Sequence, residues 1–240
     1  MKTKSIGICL ILICGLFLSC DHEIIRARGE ITTKEVNITG YSALKVSDAF
    51  NVYVQFSDTE EKIEIEANDN LHDKIVVEMV DGTLGIRLRN FTSIRGNPTL
   101  NAYIVTKRIT DFDLSGASKV SLESELVSSH VSIELTGASE FTGELDLEQL
   151  QLEAGGAAHI DLFGKVGKLD VSLSGASTLK NYDLWVKSLD MRLSGASDAY
   201  LSVSETIDID ASGASKLRYK GSPIINKIKL SGASEIIKKP

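Results

Sequence analysis

Cysteine is nearly absent: Cys9, Cys14 and Cys20 are the only ones in the chain. All sit at the extreme N-terminus, so no disulfide can staple the rest of the chain. Histidine is equally sparse, and His22, His72, His130 and His159 fall too far apart to give a metal-ligand spacing. Cations are outnumbered, with 26 Lys and Arg against 33 Asp and Glu and a formal charge of −7. Neutralising a phosphate backbone needs clustered Lys and Arg, which excludes nucleic acid as a partner. Serine is plentiful, yet no Gly-x-Ser-x-Gly elbow with an attendant His and Asp accompanies it, which argues against a nucleophilic triad.

The chain also lacks any long apolar run. Its one hydrophobic stretch, Ile6 to Leu18, falls well short of the roughly 20 residues that crossing a bilayer takes. Preceded by Lys2 and Lys4 and followed by Ser19 and Cys20, it reads as an export signal over residues 1–19. Leu16, Leu18, Ser19 and Cys20 resemble a bacterial lipoprotein signal, in which cleavage precedes the Cys and that Cys carries lipid; Phe17 departs from the more usual Leu. Loss of the leader takes Lys2 and Lys4 with it, so the expected mature chain is more acidic still. Its membrane attachment is then the lipid on Cys20 alone. Residues 20–33 read as a polar tether, and the location as the cell envelope, at the outer membrane, with the side left open.

What the chain has in abundance is one corner. Ser115 to Ser118, Thr136 to Ser139, Gly155 to Ala158, Ser174 to Ser177, Ser194 to Ser197, Ser212 to Ser215 and Ser231 to Ser234 are seven copies, and their central Gly residues, from Gly116 to Gly232, recur at a nearly constant interval. A fixed period of this kind marks stacked structural units. Four residues before each Gly stand Phe112, Ile133, Leu152, Val171, Met191, Ile209 and Ile228, and two before it Leu114, Leu135, Ala154, Leu173, Leu193, Ala211 and Leu230, with polar residues between. Alternation with a period of two is a strand with one buried face. Val120, Phe141, Ile160, Leu179, Ala199, Leu217 and Ile236 then begin a second strand after each turn. Such a unit cannot bury its apolar face alone, and stacking rungs about 4.8 Å apart makes one continuous core. The fold class is therefore all-β, a right-handed parallel β-helix (solenoid) over 111–240. Gly supplies the turn's backbone shape, and the Ala after it is expected to be the position where a larger side chain would strike the next coil.

Residues 34–110 form a less regular N-terminal β segment, either imperfect outer coils or an antiparallel cap. Alternation returns at Phe50, Val52 and Val54, at Ile63 and Ile65, and at Leu84, Ile86 and Leu88; Leu71, Ile75 and Met79 suggest a helical turn within 70–80. Lys227, Lys229, Lys238, Lys239 and Pro240 blunt the far edge against fibre growth.

A lipoprotein-type leader, a leading β segment with Asp81-Gly82-Thr83-Leu84 and serial Leu-Ser-Gly-Ala-Ser corners together resemble an exported Bacteroidetes-type lipoprotein of the head GIN domain family, the heads of autotransporter adhesins. The resemblance covers about Val36 to Ile237. It implies a right-handed β-helix, a surface or periplasmic location and an adhesive role, and it supplies no ligand-binding residues.

Chemistry is thin. Asp170, Asp190 and Asp208 stand five before their corner Gly, with Arg192 and Asp210 two residues along. Stacked carboxylates repel, so the column marks either a face for a weakly held calcium ion or a glycan, or a ladder screened by Arg192, Lys227 and solvent. Tyr182 and Trp185, in a return loop, and Tyr200 in the next coil make an aromatic platform for a sugar, or else fold back over the core. No catalytic residues and no cofactor are implied. The expected function is a non-catalytic, lipid-anchored, adhesin-like domain that binds a polysaccharide or a surface protein. The alternatives are a carbohydrate-active enzyme of the lyase or hydrolase kind on the same scaffold, and a structural envelope spacer.

Overall fold

A computed structural model describes residues 23–240; the leader and Cys20 lie outside them. Among the described residues strand is the dominant structure, and the helical content is a single 3-10 turn at Asp69–Lys74. Glu140–Ala154 shows why: Phe141, Leu145 and Leu147 are buried while Thr142, Glu144 and Asp146 are exposed. The alternation shifts by one at Glu148 and Gln149, where the strand turns from one side of the coil to the next.

Each full coil has three sides. An approach side leads into the corner, a departure side leaves it, and a return side closes the loop. The expected plain return is itself paired strand, with Leu126, Leu145, Gly164 and Leu184 in one register column. His159–Leu173 lies parallel on Glu140–Ala154, from Glu140 opposite His159 to Ala154 opposite Leu173. The apolar columns face one unbroken core. The chain is thus a parallel β-helix.

At the corners, the Gly is the crowded residue. Gly175 has φ +72°, and a Cβ there would stand 2.4 Å from the carbonyl oxygen of Gly156 in the coil below. The following Ala, expected to be the constrained one, is exposed, and the Ala176 N–H donates to that same Gly156 carbonyl at 2.7 Å. The Ser that ends each corner turns inward. Ser177 and Ser197 are buried and donate to the carbonyls of Ser174 and Ser194, both at 2.8 Å. Ala158 takes that place at the third corner and is likewise buried.

The N-terminal segment contains an eighth corner that the Gly pattern conceals. Ala43–Val46 pairs in parallel with Asp111–Leu114, and Asn51–Phe56 with Lys119–Leu122, so Ser47, Asp48, Ala49 and Phe50 occupy the place of Ser115 to Ser118. Asp48 and Ala49 hold φ +63° and +65° without being Gly. No like-shaped corner lies beneath, and the Asp48 carboxylate instead accepts the Leu88 N–H at 2.9 Å. Thr83–Leu88 and Leu100–Thr106 stack in parallel on this coil. Direction then reverses: Ile75–Val80 runs antiparallel to Thr83–Leu88, Lys62–Asn68 antiparallel to Leu100–Thr106, and Ile31–Val36 closes the outer edge. Residues 34–110 therefore supply one in-register coil and an antiparallel cap continuous with it.

Two local expectations change. The helical turn ends at Lys74 with Leu71 buried, and Ile75–Val80 is strand, held by its antiparallel pairing with Thr83–Leu88. Within the polar stretch to Thr33, Glu23–Arg26 pairs with Thr92–Arg95 and Ile31 onward joins the cap, so from Glu23 the chain is no tether. At the other end a bulge sets Ile225 opposite Ile207 and leaves Asn226 as the extra residue.

Candidate functional site

Parallel stacking turns each outward sequence position into a column along the rod. On the approach side, Asp170, Asp190 and Asp208 are register partners in successive coils, and Lys227 follows them. Arg192 leans back over two of them, 3.3 Å from the Asp170 carboxylate and 3.9 Å from that of Asp190, while Lys229 pairs with Asp210 at 3.0 Å. Opposite charge laid between like charges is what lets such a column exist. Among the described residues no group of three or more His, Cys, Asp or Glu is arranged to hold a metal ion.

The three aromatics part company. Tyr182 and Tyr200 meet edge to face, with ring centres 5.9 Å apart and planes at 83°. Trp185 lies not in a loop but in the strand Leu184–Leu193, stacked between Lys165 and Ser202 on the return side. The sequence places Trp185 close behind Tyr182, but the chain turns onto another side of the coil between them.

Trp185 borders a long depression. This open groove of about 870 Å³ runs along the return side, with the outward column Val127, Asp146, Lys165 and Trp185 on one wall and Glu148, Gly167 and Lys187 on the other. Val127 is 66% and Trp185 56% exposed, so large apolar side chains stand in solvent near both ends. Gly167 keeps the wall low: a Cβ there would meet the Glu148 carbonyl at 2.6 Å. None of Asp146, Lys165, Glu148 and Lys187 takes part in an ion pair among the described residues. The groove thus offers an apolar floor, one indole face and free charges of both signs. Concave clefts with a few polar groups on an apolar lining are where ligands bind.

Val127, Asp146 and Lys165 are not legible as a site in the sequence, because the return side has no Gly recurring in every coil from which to align them. Its interval lengthens from Lys165 to Trp185 and shortens from Trp185 to Ser202. Only the strand pairing fixes which residues stack.

Comparison with known proteins matches residues 40–223 to the family described as "Putative auto-transporter adhesin, head GIN domain". The chain belongs to this family. Its fold is shared by a "putative adhesin" of Bacteroides fragilis NCTC 9343, at TM-score 0.80 and 21% identity over 89% of this chain and 97% of that one. A second "putative adhesin", from Parabacteroides merdae ATCC 43184, gives 0.73 and 17% over 91% and 100%. A "putative lipid binding protein" of Parabacteroides distasonis ATCC 8503 gives 0.75 and 18% over 91% and 100%. At such identities these likenesses establish the fold alone. No curated protein matches the chain. Membership makes this an adhesin-like domain of the cell surface or envelope. Among the described residues no helix is long and apolar enough to cross a membrane.

Proposed function

We propose that the protein is a non-catalytic, lipid-anchored adhesin-like domain of the outer membrane, and that it holds an extended polysaccharide in the groove of the return side. The groove itself carries this reading. Val127 and Trp185 are three rungs apart, about 14 Å at the usual strand spacing. That length accommodates a few sugar rings laid along the rod, with one ring stacked on the exposed indole. Family membership supports the adhesive role, and the leader sequence supports the lipid on Cys20. An enzyme on this scaffold needs a proton donor, a base and a stabilising cation converging on one point. Here the candidate carboxylates of the approach side are spread along a ladder, with Asp170 and Asp190 facing Arg192 and Asp210 paired with Lys229.

The indole is the only tryptophan, so it reports on its own site. Titrating the full chain with a panel of polysaccharides should shift or quench its fluorescence for at least one of them. Followed by calorimetry, because the variant has no indole left to report, Trp185→Ala should weaken that binding by roughly two- to tenfold, since stacked aromatic contacts contribute about 0.5–1.5 kcal/mol beyond the area they bury. A flat fluorescence response across the panel, or full binding by the variant, overturns the reading.

A further inference from the structure

On the departure side, around the edge from the groove, a smaller depression of about 280 Å³ is lined by Asp161, Lys180, Asn181, Tyr182 and Tyr200. Two more cations frame the tyrosine pair. The Lys220 ammonium lies 4.9 Å from the Tyr182 ring centre, and the Arg218 guanidinium 4.9 Å from that of Tyr200.

These three cations are not equivalent. Arg218 is committed: it donates to Asp198 at 2.6 Å and to the Tyr200 hydroxyl at 3.0 Å, and the hydrogen bond to Asp198 pushes its pKa further up. It fixes the Tyr200 ring rather than offering charge. Lys180 and Lys220 have no ion pair among the described residues. Asp161, the carboxylate in the lining, accepts from Asn181 at 3.2 Å, and Asn181 in turn accepts the Asp183 N–H at 3.1 Å. The loop that presents Tyr182 is further tied by the Ser202 hydroxyl, which donates to the Tyr182 carbonyl at 2.7 Å. The result is an aromatic corner held in place from behind, with two ammonium groups beside it that no carboxylate engages, on a protein of net charge −7.

We propose that this corner is a second binding site, specific for an acidic sugar: a pyranose ring bearing a carboxylate. The perpendicular tyrosine pair, each ring backed by a cation, lines the depression and seats a sugar ring's apolar edge, while Lys180 and Lys220 receive its carboxylate as charge-assisted hydrogen bonds. A neutral sugar would gain the stacking but give Lys180 no carboxylate and leave Lys220 with only the Tyr182 ring. The site is separate from the Trp185 groove, and its occupancy does not depend on that groove's function.

The experiment is calorimetry on the full chain with EDTA present, using a hexuronic acid trisaccharide and a neutral hexose trisaccharide as probes. The acidic probe should bind, more weakly as salt is raised, and the neutral one at least about tenfold less well. The double variant Lys180→Gln with Lys220→Gln should lose about tenfold or more for the acidic probe, and Tyr182→Leu should weaken it as well, while Trp185→Ala leaves it unchanged. Both lysines project from the surface or its margin, so circular dichroism should show these variants folded. No heat with the acidic probe, equal binding of both probes, or full binding by the lysine double variant overturns the proposal. Loss confined to Trp185→Ala would move the ligand to the groove and end this assignment while supporting the other.

Discussion

Replacing Gly175 by Ala should destabilise the protein far more than replacing Gly116 by Ala, although the two glycines share a backbone conformation. Their φ values are +72° and +73°. A left-handed backbone costs an L-residue about 1–2 kcal/mol, and that cost is common to both variants. The difference lies below them. At Gly175 a methyl group would meet the Gly156 carbonyl oxygen at 2.4 Å and its nitrogen at 3.0 Å, whereas at Gly116 its nearest neighbour is the Asp48 nitrogen at 3.4 Å. The first contact forces two coils apart at a place where the Ala176 N–H is bonded at 2.7 Å to that same oxygen. Overpacking of this kind adds about 1–3 kcal/mol, giving roughly 2–5 kcal/mol for Gly175→Ala against roughly 1–2 kcal/mol for Gly116→Ala. Domains have only about 5–15 kcal/mol in all. Guanidinium unfolding followed by circular dichroism measures both variants against the parent. Equal losses, within about 0.5 kcal/mol, would mean that corners do not bear on one another and that the stacking account is wrong.

Other outcomes follow from the same geometry. Ser197→Ala should cost about 1–3 kcal/mol in unfolding experiments, because a part-buried carbonyl loses its hydroxyl partner, while Ala158→Ser should gain about 0.5–1.5 kcal/mol by supplying the one corner of the seven Gly corners that lacks it. Arg192→Gln should cost under about 1 kcal/mol, since the Arg192 side chain is 59% exposed, and that small loss should shrink further in high salt. Burial pushes the Tyr41 phenol above its usual range. A raised folded-state pKa means the unfolded chain ionises first, so this contribution is intact below the ordinary tyrosine pKa of about 10 and is lost as pH rises beyond it. Tyr41→Phe should flatten the alkaline fall in stability, as read from unfolding midpoints across that range, and an unchanged slope would clear Tyr41 of the effect.

The sequence reveals those parts of the fold that repeat under a steric rule. Gly137, Gly156, Gly175, Gly195, Gly213 and Gly232 each have a Gly directly beneath, and each would drive a Cβ to between 2.4 and 2.7 Å from its carbonyl. Such a position admits one amino acid, so it writes itself into the sequence. The eighth corner is silent for the complementary reason: Asp48 rests on Leu88 rather than on a matching turn, so Gly is not demanded there. The corner stacked on it, at Gly116, also comes far later in the chain, because the whole cap is inserted between them. The columns Asp170, Asp190 and Asp208 were legible because the approach side ends at the Gly that sets the frame. Trp185 has other neighbours than its short sequence interval from Tyr182 implies, because the chain changes side between them.

Register also dictates how a coil can be removed. Val171 lies opposite Met191, Ser172 opposite Arg192 and Leu173 opposite Leu193. Excising Ser172–Met191 therefore joins Val171 to Arg192 with every inward residue still facing inward, and brings Gly195 down onto Gly156 with the geometry that Gly175 now has. Excising the shorter block Leu173–Asp190 instead leaves two extra residues in the approach strand, so that side and its corner no longer close over the coil beneath. The first deletion should yield a folded rod about 4.8 Å shorter by small-angle scattering, with β content retained by circular dichroism. The second should be markedly less stable. Collapse of both variants alike would mean that the coils are not interchangeable nearest-neighbour units, and the columns from which both ligand sites are built would lose their foundation.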